Sequence, residues 1–155
     1  MNTQKGQVEK YTIKEAAKLS GLAESNLRYY ESIGLIPYIE RDKSSKHRIY
    51  SEDNINYIVS IACLSATGMS ITDMQEYLRN VDRGVVAAGE QIKLLSTQSL
   101  RLLDEERSLK LRQKYLGLKV DYWKAVSDKK IDLANKIAKK AVAVAKEVKE
   151  FRISN

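Results

Sequence analysis

Cysteine, histidine, proline and phenylalanine are almost missing from this chain. One cysteine, Cys63, and one histidine, His47, stand among 155 residues. A lone cysteine closes no disulfide within the chain, and the pair falls short of the four ligands of a structural zinc site. No metal and no cofactor are expected. One proline and seven glycines leave the backbone little punctuation, which favours long helices. No apolar run approaches the roughly 20 residues that span a bilayer. The opening MNTQKGQVEKY has no apolar stretch of the kind a secretion signal needs. A cytoplasmic chain without membrane contact is expected. An enzyme is not: no glycine-rich phosphate loop is present, and one histidine with one cysteine supplies no converging nucleophile, base and acid.

The charge is one-sided only in part. The net charge is +7, yet residues 1–80 hold ten Lys/Arg against ten Asp/Glu, and the whole excess lies in residues 81–155. Global charge therefore says little about where an anionic partner would sit. A local cluster says more: Arg41, Lys43, Lys46 and Arg48 face only Asp42 within residues 41–50. A short basic finger of this kind can meet phosphates without a basic domain around it.

Thr12 followed by Glu15 reads as a capping box that opens a helix, with Gly21 as its stop. A second helix starts near Ala23 or Glu24 and runs through SNLRYYESI to Gly34. Two short helices joined by a tight turn form a helix-turn-helix pattern, which an ordinary helical hairpin shares. The segment YIERDKSSKHRIY then reads as a β-hairpin or loop, a basic wing placed directly after the helix pair. Ser51 caps a third helix with Ile55, Ile58, Val59, Ala62 and Cys63 at helical spacing, and Ser70 or Thr72 opens a fourth.

From about Ala87 to Ala125 no proline interrupts the chain, and Leu95, Leu102, Leu109, Leu116 and Trp123 fall seven apart. Such a stripe predicts a coiled coil, and its simplest partner is a second copy of the chain. Residues 128–151 predict a further amphipathic helix. The domains expected are a flexible extension (1–10), a winged helix-turn-helix head (11–80), a dimerisation helix (81–125) and a C-terminal amphipathic tail (126–155). The fold class is all-α with a small β-hairpin wing.

YTIKEAAKLSGLAESNLRYYESIGLI, the basic segment ending HRIY, and SEDNINYIVSIACLSATGMSITDMQEYL together resemble the MerR family of bacterial regulators. The resemblance implies a homodimer, its heads spaced by an antiparallel coiled coil. The dimer would grip a palindromic operator in double-stranded promoter DNA and distort it, acting on RNA polymerase only through the promoter. Ser25, Asn26 and Arg28 would face the major groove from the second helix. Of the adjacent Tyr29 and Tyr30, one would reach a phosphate while the other packs. Arg41 and Arg48, with Lys43 beside them, would hold the backbone from the wing, Tyr50 would support its base, and Thr12 would offer a helix N-terminus to a phosphate.

Cys63 carries two readings. An apolar helix face makes it a buried small hydrophobe. Resemblance to the short, aldehyde- and thiol-stress-responsive branch of the family makes it an electrophile or redox sensor. Two functional alternatives stand beside the regulated dimer: a constitutive repressor of the same fold, and a protein-interaction adaptor built on the coiled coil.

Overall fold

The computed structural model describes residues 9–153. The expected extension at residues 1–8 and the last two residues of the tail lie outside them. The chain is mostly helical: α1 (Ile13–Ser20), α2 (Glu24–Ser32), α3 (Glu52–Ala66), α4 (Ile71–Arg83), α5 (Ala88–Ser127) and α6 (Ile131–Ile153). A single 3-10 turn, Gly84–Ala87, separates α4 from α5. Two short strands, β1 (Lys10–Tyr11) and β2 (Tyr50–Ser51), pair antiparallel with Tyr11 opposite Tyr50. Among the described residues no helix is long and apolar enough to cross a membrane.

The helix boundaries follow from their caps. Thr12 and Glu15 form the reciprocal capping box at the start of α1, and Gly21 ends that helix with φ 74, a left-handed conformation that glycine adopts without a Cβ clash. Ser51 and Asn54 form a second box at α3. The expected flexible extension ran to residue 10, but Lys10 pairs with Ser51, because the chain entering α1 must run beside the chain leaving the wing.

Contacts divide the chain into two compact units, one ending at Gln98 and the other beginning at Ser99. In the first, Ala16, Leu27, Tyr30, Ile36, Ile39, Tyr50, Ile58 and Met74 belong to one buried cluster. Every element from α1 to α4 contributes to it. Fully burying an aliphatic side chain of this size stabilises a fold by roughly 1.5–3 kcal/mol. The unit does not stop at residue 80. Gln91 Nε2 donates to the Tyr77 carbonyl at 3.2 Å, and Gln98 Nε2 donates to the Thr67 carbonyl. Arg83 pairs with Glu90. The opening turns of α5 are thereby fastened to the head by polar contacts that carry no hydrophobic periodicity.

The second unit is a helical pair. Ala125 of α5 and Ala134, Ala141 and Val144 of α6 are buried, and Tyr115, Tyr122 and Trp123 of α5 line one concavity with Ala138, Ala141 and Val142 of α6. Lys129, with φ 59, makes the turn, and the Lys130 and Lys129 N–H groups close back onto the Ala125 and Val126 carbonyls. That is the Schellman arrangement with lysine in the place glycine usually takes. Leu102, Leu109, Leu116 and Trp123 remain 40–65% exposed.

Candidate nucleic-acid interface

The second helix presents its two faces as its sequence requires. Leu27 and Tyr30, three positions apart, enter the core, while Ser25, Asn26, Arg28 and Tyr29 are exposed. Ala23 supplies no side-chain cap, so the first-turn N–H groups of α2 keep their capacity to donate to an anion. Arg28 Nη2 lies 2.9 Å from Glu24, a half-exposed pair one turn apart that contributes only a few tenths of a kcal/mol, about 0.3–0.5, and yields readily to a better partner.

The wing spans residues 37–49. Its ladder is brief: one isolated bridge joins Arg41 to Arg48, flanked by Ile49 N–H to Glu40 and Asp42 N–H to His47. Its tip is built by Asp42. That carboxylate accepts the N–H groups of Ser45 and Ser44 at 2.8 and 3.0 Å and both of their hydroxyls. The backbone N–H of Ser45, then the Ser44 and Ser45 hydroxyls, hold its carboxyl far below the ordinary range. Lys46 follows with φ 60, a left-handed conformation that costs an L-residue roughly 1–2 kcal/mol. Lys43 is exposed on the turn.

Beneath the wing, Glu31 of α2 receives three donors. Arg41 Nη2 donates at 2.8 Å, Arg48 Nε at 2.6 Å and the Ile39 N–H at 3.1 Å. Burial alone would raise this carboxyl, but the hydrogen bonds from Arg48, Arg41 and Ile39 outweigh it and leave it below its usual value.

Thr12, Ile13, Arg28, Lys46, His47 and Arg48 line one concavity of about 320 Å³. The fold thus brings together three residues expected to contact DNA (Thr12, Arg28, Arg48) with Lys46 of the basic cluster, and adds His47, to which no role was given. The signal for Lys46 is that cluster of basic charge between residues 41 and 48. Ser25, Asn26, Tyr29 and Lys43 are exposed outside this lining. The Thr12 N–H already donates to Glu15 at 2.7 Å, so α1 meets an incoming anion with a carboxylate at its first turn.

Two tyrosines leave the set of surface contacts. Tyr30 is 7% exposed with its hydroxyl 3.5 Å from Ser65, and Tyr50 is wholly buried. Tyr50, in β2 where the wing ends, is buried and cannot touch a ligand there. Among the described residues its hydroxyl has no hydrogen-bond partner, and burial pushes its ionisation upward. Cys63 corrects the buried reading: it is exposed. Ile55, Ile58 and Ile61 turn inward at three-residue steps. Cys63, two residues beyond Ile61, falls some 200° around the helix at about 100° per residue.

Comparison with known proteins places this geometry. The profile for the MerR HTH family regulatory protein matches residues 11–81. The HTH-type transcriptional regulator AdhR of Bacillus subtilis (strain 168) is 36% identical over 92 residues, 59% of this chain and 65% of AdhR. YfmP, another HTH-type transcriptional regulator of that strain, is 32% identical over 103 residues, 65% of this chain and 67% of YfmP. The crystal structure of HiNmlR, a MerR family regulator lacking the sensor domain and bound to promoter DNA, superposes with a TM-score of 0.69. It is 24% identical, and the match covers 82% of this chain and 96% of that one, a likeness of fold. The chain spans between 50% and 65% of the length of two of the curated relatives it matches.

Proposed function

This chain belongs to the MerR family of helix-turn-helix regulatory proteins, and on that premise we propose that it is a transcriptional regulator that binds promoter DNA as a homodimer. The observation that carries the reading is the concavity where Arg28 of α2 meets Lys46, His47 and Arg48 of the wing. Three cations and an imidazole face solvent at one place in a unit whose net charge is zero. Arg28, with Ser25 and Asn26 on the same exposed helix, would approach base edges, because a guanidinium donates two hydrogen bonds in one plane. The wing and Tyr29 would position the head on the phosphates.

The leucines of α5 supply the second half. Leu95, Leu102, Leu109, Leu116 and Trp123 are 40–65% exposed at a seven-residue step. A second copy that covers them antiparallel would set two heads on a palindromic operator. Sequence choice would then come in large part from how easily that DNA bends, and the distortion would be what RNA polymerase senses. A duplex from upstream of the chain's own gene tests the reading. Binding is expected to weaken steeply with salt, by about 0.9 logarithmic units per tenfold salt for each phosphate neutralised. A chain that ignores duplex DNA at low salt is an adaptor built on its helices instead.

Cys63 is the residue we assign to an electrophile signal, supported by its exposure on α3. With an aldehyde the chemistry is an addition: sulfur bonds to the carbonyl carbon and the thiol proton moves to the carbonyl oxygen. A Cys63→Ser chain that still changes its DNA binding fully on aldehyde exposure removes the assignment, and a wild-type chain that never responds is a constitutive repressor.

A further inference from the structure

Glu31 is an unusual member of this site. Its side chain is 7% exposed, against 26% for each arginine that contacts it. A carboxylate so placed loses its hydration, and only matched donors keep it charged. Here the donors come from three points of the wing. Ile39 lies where the wing begins, Arg41 on its outgoing side and Arg48 on its returning side. One carboxylate in the last turn of α2 therefore ties that helix to both sides of the finger.

The two arginines are not held alike. Arg41 gives Nη2 to Glu31 and Nη1 to the Ile39 carbonyl, and its guanidinium lies 5.1 Å over the Tyr38 ring. It is engaged along its outer edge and on its face. Arg48 gives only Nε to Glu31. Among the described residues its terminal Nη1 and Nη2 carry no hydrogen bond, and the residue lines the concavity with Arg28, Lys46 and His47. A guanidinium anchored through Nε turns the edge that carries its terminal nitrogens outward in a fixed direction.

We propose that Glu31 is a positioning residue for DNA binding: it fixes Arg48 so that the terminal guanidinium nitrogens meet a phosphate, while Arg41 serves as the other half of the clamp and contacts no DNA. This rests on the reading of the concavity as the DNA-binding face. It divides two arginines that sequence reasoning treats as equivalent. It also makes a negative charge beside the DNA favour binding, the reverse of simple repulsion. If Glu31 merely repelled phosphates, its removal would tighten the complex.

The test is a salt titration of the full chain on a short duplex of mixed sequence, with thermal unfolding of each variant recorded alongside. Arg48→Gln is expected to lower the salt slope by about 0.9 for each head and to weaken binding on the order of tenfold for each head near 0.1 M salt. Glu31→Gln should weaken binding and lower the slope similarly. In the Arg48→Gln background it should have little further effect, because the two act as a unit. Arg41→Gln should leave the slope unchanged. Arg48→Lys keeps the charge but has no Nε–H to anchor beside a free pair of donors, so it should not restore wild-type binding. The Arg48 Nε–H resonance, slow to exchange in the wild type, should vanish in Glu31→Gln. Glu31→Gln binding as tightly as wild type, its loss adding in full to that of Arg48→Gln, or full rescue by Arg48→Lys each overturns the proposal. A wild-type chain that does not bind the duplex overturns the functional reading itself, and this inference with it.

Discussion

The two units bury their apolar residues to very different degrees. In the head, Leu27, Leu35, Ile39, Tyr50, Ile58 and Ile61 are all completely buried by residues of the same unit. In the helical pair the buried residues are small, Ala125, Ala134, Ala141 and Val144, while Leu102, Leu103, Leu109, Leu116 and Trp123 stay 40–65% exposed. A helix whose larger side chains find no cover within its own unit leaves an apolar face open to association. The lesson is a division of labour. The head's stability is internal, whereas the apolar face of α5 would gain its stabilisation on the association proposed above.

The largest effect should come from breaking that association. Leu109→Asp would replace a half-exposed leucine, covered only in the proposed dimer, by an unpaired carboxylate in both copies, about 2 kcal/mol each, which is about a thousandfold in dimer dissociation. Equilibrium sedimentation should show single chains whose heads still unfold cooperatively. Next is the head's own core. Ile58→Ala should cost about 2–5 kcal/mol in urea unfolding, and its effect should not depend on chain concentration if the head is self-sufficient.

A smaller pair of changes separates stability from function within the head. Thr12→Ala removes the capping box of α1 and should cost about 1 kcal/mol. Lys46→Gly relieves a left-handed lysine of roughly 1–2 kcal/mol, so its melting temperature should rise or hold while its affinity for duplex DNA falls. A lysine that turned out dispensable for DNA would make the wing tip a structural feature only. Tyr50→Phe should be neutral or stabilising by up to about 1 kcal/mol, because the hydroxyl it removes is buried without a partner.

Acid should act on the head through Glu31. Its carboxyl sits below the ordinary 4.5 when folded, so its contribution is complete above that value. It is lost as pH falls from there through the lower folded value. Melting temperatures of wild type and Glu31→Gln should converge across that acid range and differ near neutrality. A constant difference at all pH values contradicts the carboxylate's role.

Much of the head was legible because its signals are local. Thr12 with Glu15, Gly21, Ser51 and Ser70 each fix a boundary within a few residues, and the structure starts α1, α3 and α4 where these caps stand. The heptad leucines likewise announced α5. What escaped sequence reasoning was long-range and polar. Glu31 reaches Arg48 across 17 positions and Gln98 reaches Thr67 across 31, and neither pairing has a periodicity to betray it. The Lys10–Ser51 pairing is hidden for the same reason. Of the two readings of Cys63 the buried one fails, because an apolar neighbourhood in sequence is not an apolar face, and its angle from Ile61 turns it outward.

The central claim is that two copies, joined through α5, present two basic concavities to one duplex. Sedimentation of the full chain with a labelled duplex from upstream of its own gene addresses it most directly. The account predicts two chains per duplex, released together as salt rises. A single chain bound to the duplex with undiminished affinity, or a dimer that sediments apart from it at low salt, contradicts it.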